Sequence, residues 1–405
     1  MSHNVPDDAL NFLENNILQT GADNIRIIEW RPSLNFYKDS YVKLLSQAVA
    51  FIKRRSAEER TTAFFGRRWV KNFFKNTSNL KNCLLYKETS VPVIITGSAP
   101  SLEQAVPIIK KMQEFFLIIA ASSSLASLSY YGIRPDFIVT TDGGGWALLH
   151  LHQIFRSLLL RETSSLAVNL CAALPSQCAG DKKLIINDGS LWQSIILHEL
   201  NIPSVVIPQR GTVTATALDL ALILSRGSIF TAGMDFTFSD IITHVKPYNF
   251  DVLLLEKAAR VSPLYSNIFT RAFLMRQSGS MDIYAEWFKQ QLSLLPKRIF
   301  SIGSKNNIFV DGGGLLNDYL NKNPDKKNLN DNYKTFCINE NSENLCKRGL
   351  NSLLSALKDK NYAGKLKQEL ASLLFPGEKT VTDNELETAL KNISRNANKQ
   401  ASHEN

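Results

Sequence analysis

The sequence predicts an α/β protein: a Rossmann-like, mainly parallel sheet with helices on both faces, plus helical N- and C-terminal additions. Three observations carry this. Between residues 91 and 240, short apolar runs of strand length alternate with helical patterns. The runs lack polar alternation, as strands buried on both faces do. Several helical patterns also begin at once on small or hydroxylated residues, which are helix start signals.

The strands are expected at 93–96, 116–120, 137–141, 166–170, 183–186, 205–207 and 229–232. From 250 to 300 the pattern is helical ("LLLEKAARV", "MDIYAEWFKQQLSLL"), and "IFSIGSKNNIFVDGGG" returns to a strand and a turn. Four regions follow. Residues 1–90 are helical or irregular, with a basic aromatic helix, and 91–315 form the α/β core. Residues 316–345, rich in Asn and Lys, read as a polar linker. Residues 346–405 form a helical tail whose end, "NISRNANKQASHEN", is expected to be disordered.

The totals narrow the class. The chain has 405 residues, a net charge of +9 and 44% hydrophobic residues, enough for a large core. No run approaches the roughly 18 apolar residues that a membrane span needs. "MSHNVPDDALNF" is acidic and polar, unlike a secretory leader. Five cysteines lie far apart without a CxxC pair, so reduced thiols and a cytoplasmic location are expected.

The positive charge is concentrated. Residues 51–82 hold nine Lys or Arg against Glu58 and Glu59. In "FFGRRWVKNFFKN", Arg67, Lys71 and Lys75 are four apart, with Phe65, Trp69 and Phe73 on a neighbouring stripe, which is an amphipathic helix. Such a helix either docks its aromatics on the core or meets an acidic partner. No nucleic-acid module accompanies it, so nucleic acid is not an expected ligand.

Three loops carry candidate chemistry. In "VIITGSAPSLEQAV" a strand ends at Gly97, Ser98 and Pro100, and a helix starts near Ser101. Ser101 and Gln104 have capping-box spacing. A helix N-terminus presents free N–H groups suited to phosphate, and Gly97 would let a ligand approach the backbone. The loop is neither GxGxxG nor a P-loop, because it lacks the lysine. In "PDFIVTTDGGGW", Asp142 stands at a strand's carboxyl end, the ligand edge of an open α/β sheet. In the third loop Gly211, Thr212 and Thr214 open an apolar helix, Asp235 follows the next strand, and His244 lies in a loop able to fold back. From the residues alone, each loop is a capped turn or a ligand loop. His150 and His152, two apart, diverge on a helix and are a weak metal signal.

Taken in order, "GSAPSL", "SSSLASLSYYGIRPDFIVTTD" and "GTVTATALDLALILSRGSIFTAGMDFTFSDIITH" resemble the motility-associated factor (Maf) glycosyltransferase family. That family shares its domain with 6-hydroxymethylpterin diphosphokinase MptE-like proteins. The likeness spans roughly 60–315. It implies transfer of a nonulosonic acid from a CMP-linked donor to Ser or Thr of flagellin, without a metal or other cofactor. It implies nucleotide binding by Gly97, Ser98, Pro100, Ser101, Ser123, Asp142, Gly211, Thr212 and Thr214. Asp235 and His244 would be catalytic, with His244 as the base that deprotonates the acceptor. The sequence departs from the pattern at Gly97-Ser98-Ala99, at Met234-Asp235-Phe236 and loosely over 304–313. The same resemblance carries two alternatives: a diphosphokinase using Mg-ATP, with Asp142 and Asp235 on the metal, or a non-catalytic flagellin binder.

Overall fold

The structure, a computed structural model, describes residues 25–403 except 157, 179–180, 238, 278–279, 292–294, 304–307, 323–324, 330–331 and 379. The expectations for 1–24 and 304–307 therefore lie outside the described residues.

The strands are β1 (Asn82–Tyr86), β2 (Val93–Thr96), β3 (Leu117–Ala121), β4 (Phe137–Thr140), β5 (Ser165–Asn169), β6 (Lys183–Asn187), β7 (Ser204–Val206), β8 (Ile229–Ala232), β9 (Ile299–Ile302), β10 (Val310–Asp311) and β11 (Tyr333–Cys337). They form one sheet in the order β10-β9-β8-β2-β3-β4-β5-β6-β1-β11, with β7 also on β6. Every pairing is parallel except β1 with β11. The fold class expected from the sequence is the one observed.

Alternate residues of these strands serve two cores. Ile94, Ile118 and Ile138 join Phe73, Phe74, Leu102 and Ile109 on one face. Val93, Ile95, Ile119 and Val139 join Leu218, Ala221 and Phe288 on the other. A strand buried on both faces is mainly apolar, with few polar residues, such as Thr96 and Asn169, at its end, and this is why the runs read so clearly.

The helices that matter here are α1 (Lys38–Ser78), α2 (Leu102–Met112), α3 (Leu148–Arg156), α4 (Val213–Leu224), α5 (Leu264–Gln277), α6 (Ser342–Ala356), α7 (Ala363–Leu374) and α8 (Asp383–His403). Helix α1 is 41 residues long. It packs against α6, α7 and α8, and Gly66 lets α7 approach: a Cβ there would lie 2.4 Å from the Leu373 carbonyl oxygen. Two asparagines tie α1 to the sheet's carboxyl edge. Asn72 Nδ2 donates to the carbonyls of Gly143 and Cys171, and Asn76 Nδ2 to those of Leu170 and Ala172.

Three expectations are corrected. Strand β1 arises within 1–90, and β11 within the stretch read as a linker. β11 is mostly exposed, so no apolar run announces it; its backbone pairs with β1 instead. The end expected to be disordered is helical as far as His403. Its buried residues, Leu386, Leu390 and Ala397, recur at helical spacing and face the core within a polar sequence. The helix is started by Thr382 and Glu385, each accepting the other's backbone N–H.

Candidate functional site

The chain runs from β2 outward through β3, β4, β5 and β6, then returns to place β8 on the other side of β2. The order reverses between β2 and β8, where an open α/β sheet forms its ligand crevice. The loops leaving these two strands enclose a cleft of about 360 Å³ lined by Pro100, Ser101, Glu103, Gln104, Asp235, Thr237 and Lys246, among others.

The two loops are locked to each other. Gly97 and Ala99 donate backbone N–H bonds to the carbonyls of Ala232 (2.8 Å) and Gly233 (2.9 Å). A Cβ on Gly97 would lie 2.3 Å from the Gly233 oxygen, and Gly233, at φ +67°, would collide with Gly97 in turn. The glycine expected to admit a ligand therefore admits the neighbouring loop. Thr214 closes the same contact, its Cγ2 being 3.1 Å from the Gly97 Cβ position.

Ser101 does not form the expected capping box: its side chain makes no helix-cap bond. Its Oγ donates to Asp235 Oδ1 at 2.5 Å and its N–H to Oδ2 at 3.0 Å. Asp235 is only 3% exposed, so its carboxylate occupies the positive N-terminus of α2 where a phosphate was expected. At α4, Thr212 Oγ1 accepts the Ala215 N–H at 3.1 Å and lies 3.2 Å from Thr214 Oγ1. Gly211 is exposed, with φ +74°. Both helix starts anticipated as phosphate cradles are thus capped internally.

Ser98 accepts the Val245 N–H at 2.9 Å, which folds the 243–248 loop over the carboxyl edge, as expected for His244. Ser123 is half-buried in the turn after β3; beside it Ser124 Oγ meets Thr96 Oγ1 at 3.1 Å. Asp142 is exposed and accepts the Gly144 N–H at 2.7 Å. Three strand steps separate β4 from β8, roughly 14 Å, so Asp142 and Asp235 are not a closely spaced pair.

His244 sits in a cluster that sequence reasoning missed. Its ring stacks on Tyr248 at 4.0 Å, and Nδ1 meets Thr243 Oγ1 at 3.0 Å and Arg271 Nη2 at 3.4 Å. The Arg271 guanidinium lies 5.1 Å from the Tyr248 ring centroid, and His150 packs on Tyr248 and Phe250. Burial, reinforced by Arg271, His150 and Lys246, pushes the His244 pKa down to about 3. Burial and Arg271 push His150 to about 4. Arginine only donates, so Nδ1 of a neutral His244 accepts and the proton resides on Nε2. The near-neutral base expected at His244 is instead a neutral ring with an Nε2–H to offer. Arg271 lies 27 residues downstream on α5, and no local motif links the two positions. Among the described residues, no group of three or more His, Cys, Asp or Glu could hold a metal ion.

Residues 67–240 match the model of the family described as 6-hydroxymethylpterin diphosphokinase MptE-like. The matched segment begins in α1 and takes in the loops bearing Gly97, Asp142, Thr212 and Asp235, so it covers the crevice's Ser101–Asp235 lock. It ends before His244, Tyr248 and Arg271. The chain is also similar to two uncharacterized proteins of Treponema pallidum (strain Nichols). One is 26% identical over 278 residues, 68% of this chain; the other is 26% identical over 120 residues, 28% of this chain. The matches span 59% and 54% of those relatives' lengths. A solved Maf glycosyltransferase of Magnetospirillum magneticum AMB-1 overlays with a TM-score of 0.48 and 13% identity, over 98% of this chain and 63% of that one. Among the described residues, no helix is long and apolar enough to cross a membrane.

Proposed function

We propose that this protein is a cytoplasmic glycosyltransferase that moves a nonulosonic acid from a CMP-linked donor to Ser or Thr hydroxyls of flagellin. The observation that carries the reading is the folding of the 243–248 loop over the switch-point crevice, with Lys246 in its lining and His244 and Arg271 beside it. Lys246 lines it, Val245 is anchored to Ser98, and His244 stands beside Lys246 with Arg271 on its Nδ1. In the transfer the acceptor oxygen forms a bond to the anomeric carbon. The bond from that carbon to the phosphate oxygen breaks, and its electron pair leaves with CMP. The Lys246 ammonium, which lines the crevice and pairs with Asp251 at 2.6 Å, is suited to stabilising that oxyanion without a metal, with the His244 Nε2–H beside it. The acceptor's proton passes to Glu103, the other carboxylate lining the crevice, since Asp235 is held by Ser101.

A diphosphokinase acting with Mg-ATP is the second reading, favoured by the description of the matching family. That chemistry brings carboxylates together on Mg²⁺ between phosphates. Here Asp142 and Asp235 stand three strands apart.

Thermal stabilisation separates the two: CMP alone, independent of Mg²⁺, supports the glycosyltransferase, whereas Mg-ATP without CMP supports the kinase. Intact-mass measurement of flagellin incubated with donor and protein should show added sugar. His244→Gln, which keeps an N–H donor, should retain more transfer than His244→Ala. Equal loss in both variants would remove the donor role.

A further inference from the structure

The basic helix is not a remote surface. Through Asn72 and Asn76, α1 is pinned to the loops that leave β4 and β5, the carboxyl edge that also bears the crevice. Those four carbonyl bonds hold the helix and both loops in one fixed relation.

Two clefts open along this helix. One, of about 560 Å³, lies against the turn after β4 and is lined by Gly143, Gly145, Trp146, Leu148 and Leu174. The other, of about 850 Å³, lies against α8 and Phe375. Both are lined by Arg68, Asn72 and Lys75, so they meet over the helix as one trough; Arg67 and Lys71 line its α8 side. Among the described residues, Arg68 and Lys71 have no ion-pair partner. Among the described residues, the only carboxylate lining either cleft is Glu385, which is bonded to Thr382. Trp146 is 67% exposed at the trough's end nearest the sheet edge, although a ring that large is usually well buried.

We infer that this trough docks an extended, acidic polypeptide segment and leads it toward the crevice. The cations Arg68 and Lys75 are spread over seven helical positions, roughly 10 Å, too far apart to surround one phosphate but matched to a chain of carboxylates. The trough is concave and crosses a helix of about 10 Å diameter, which suits an extended stretch of about three residues rather than a flat membrane. Trp146 and the leucines beside it supply an apolar end for a side chain of the segment. As the identity of an acceptor this rests on the transferase reading; as a binding site it does not.

The test measures binding without turnover. A fluorescently labelled peptide of alternating Glu and Ser is titrated into the full chain, and its anisotropy is read at low and high salt. A neutral Gln/Ser peptide and a single-stranded oligonucleotide of equal charge are run beside it. The acidic peptide should bind at low salt and the neutral one should not. Arg68→Gln with Lys71→Gln should weaken binding about tenfold, an effect shrinking as salt rises. Trp146→Ala should weaken it at every salt concentration. Lys53→Gln with Arg60→Gln, on the same helix outside the trough, should change nothing. Arg68 and Trp146 are exposed, and an unchanged melting temperature would verify folding in each variant. The inference is overturned if the acidic peptide does not bind, if the trough and control variants behave alike, or if the oligonucleotide binds as well as the peptide. Transfer activity without peptide binding would sink this inference alone; peptide binding without transfer would sink the transferase reading alone.

Discussion

Asp235 and Ser101 join two loops 134 residues apart, the carboxylate accepting the serine N–H at 3.0 Å and its Oγ–H at 2.5 Å. The bond fixes the start of α2 against the end of β8 and thereby sets the shape of the crevice. It also answers why the β2 strand ends in small residues. Gly97 clears space for Gly233, and Ser101 reaches the acid beyond it.

The two side chains should therefore be energetically coupled. Ser101→Ala leaves Asp235 one bond short and should cost about 1–2 kcal/mol; Asp235→Ala also uncaps α2 and should cost about 2–3. The double variant should fall short of the sum by more than about 0.5 kcal/mol in urea unfolding, as residues sharing a bond do. Strict additivity would mean that the contact contributes nothing.

Glycine substitutions should separate the locked turn from the open one. Gly233→Ala forces a Cβ to within 2.6 Å of the Gly97 oxygen at φ +67°, and should cost more than about 2 kcal/mol. At Gly145 a Cβ meets nothing within 4 Å, so Gly145→Ala should stay within about 0.5 kcal/mol of the parent. Similar melting temperatures for the two would contradict the loop packing.

The sheet was legible because its central strands are buried on both faces and are therefore built mainly of apolar residues. The edge strand β11 and its neighbour β1 were not: β11 is exposed at four of five positions and is defined by its partner. The site was legible in place more than in role. Glycine, serine and aspartate at strand ends mark the ligand edge, but sequence does not say whether a helix N-terminus awaits a ligand or a carboxylate from 134 residues away. His244 showed the same limit, since its environment comes from Tyr248, Arg271 and His150.

That environment predicts a pH dependence. The ordinary histidine value is 6.5, while His244 and His150 are held at about 3 and about 4. Above 6.5 both folded and unfolded states are neutral and stability is unaffected. Below it the unfolded chain binds protons that the folded chain refuses, so stability falls until pH reaches the folded values. The slope is at most about 1.4 kcal/mol per pH unit for each histidine. Chemical unfolding between pH 7 and 5 should show this loss, and His150→Phe should make it shallower. An unchanged slope in the variant would mean that His150 is not held neutral.

The last prediction concerns which cations of α1 hold the fold and which serve the surface. Sequence spacing placed Arg67, Lys71 and Lys75 on one stripe, but the structure divides their work. Arg67 Nε donates to the Leu374 carbonyl at 2.7 Å and its guanidinium lies 5.5 Å from the Phe375 ring centroid, so it fastens α7 to α1. A charged donor on the last carbonyls of a helix is favourable in charge as well as in hydrogen bonding. Arg67→Gln should lose about 1 kcal/mol in urea unfolding, because the bond and the cation–π contact go together. Lys71 has no ion-pair partner among the described residues, lines the trough, and should change stability by less than about 0.5 kcal/mol when made Gln. Its effect belongs on the binding of acidic peptide. If both substitutions lowered stability equally, Lys71 would be a fastening residue too, and the trough's charge would be structural.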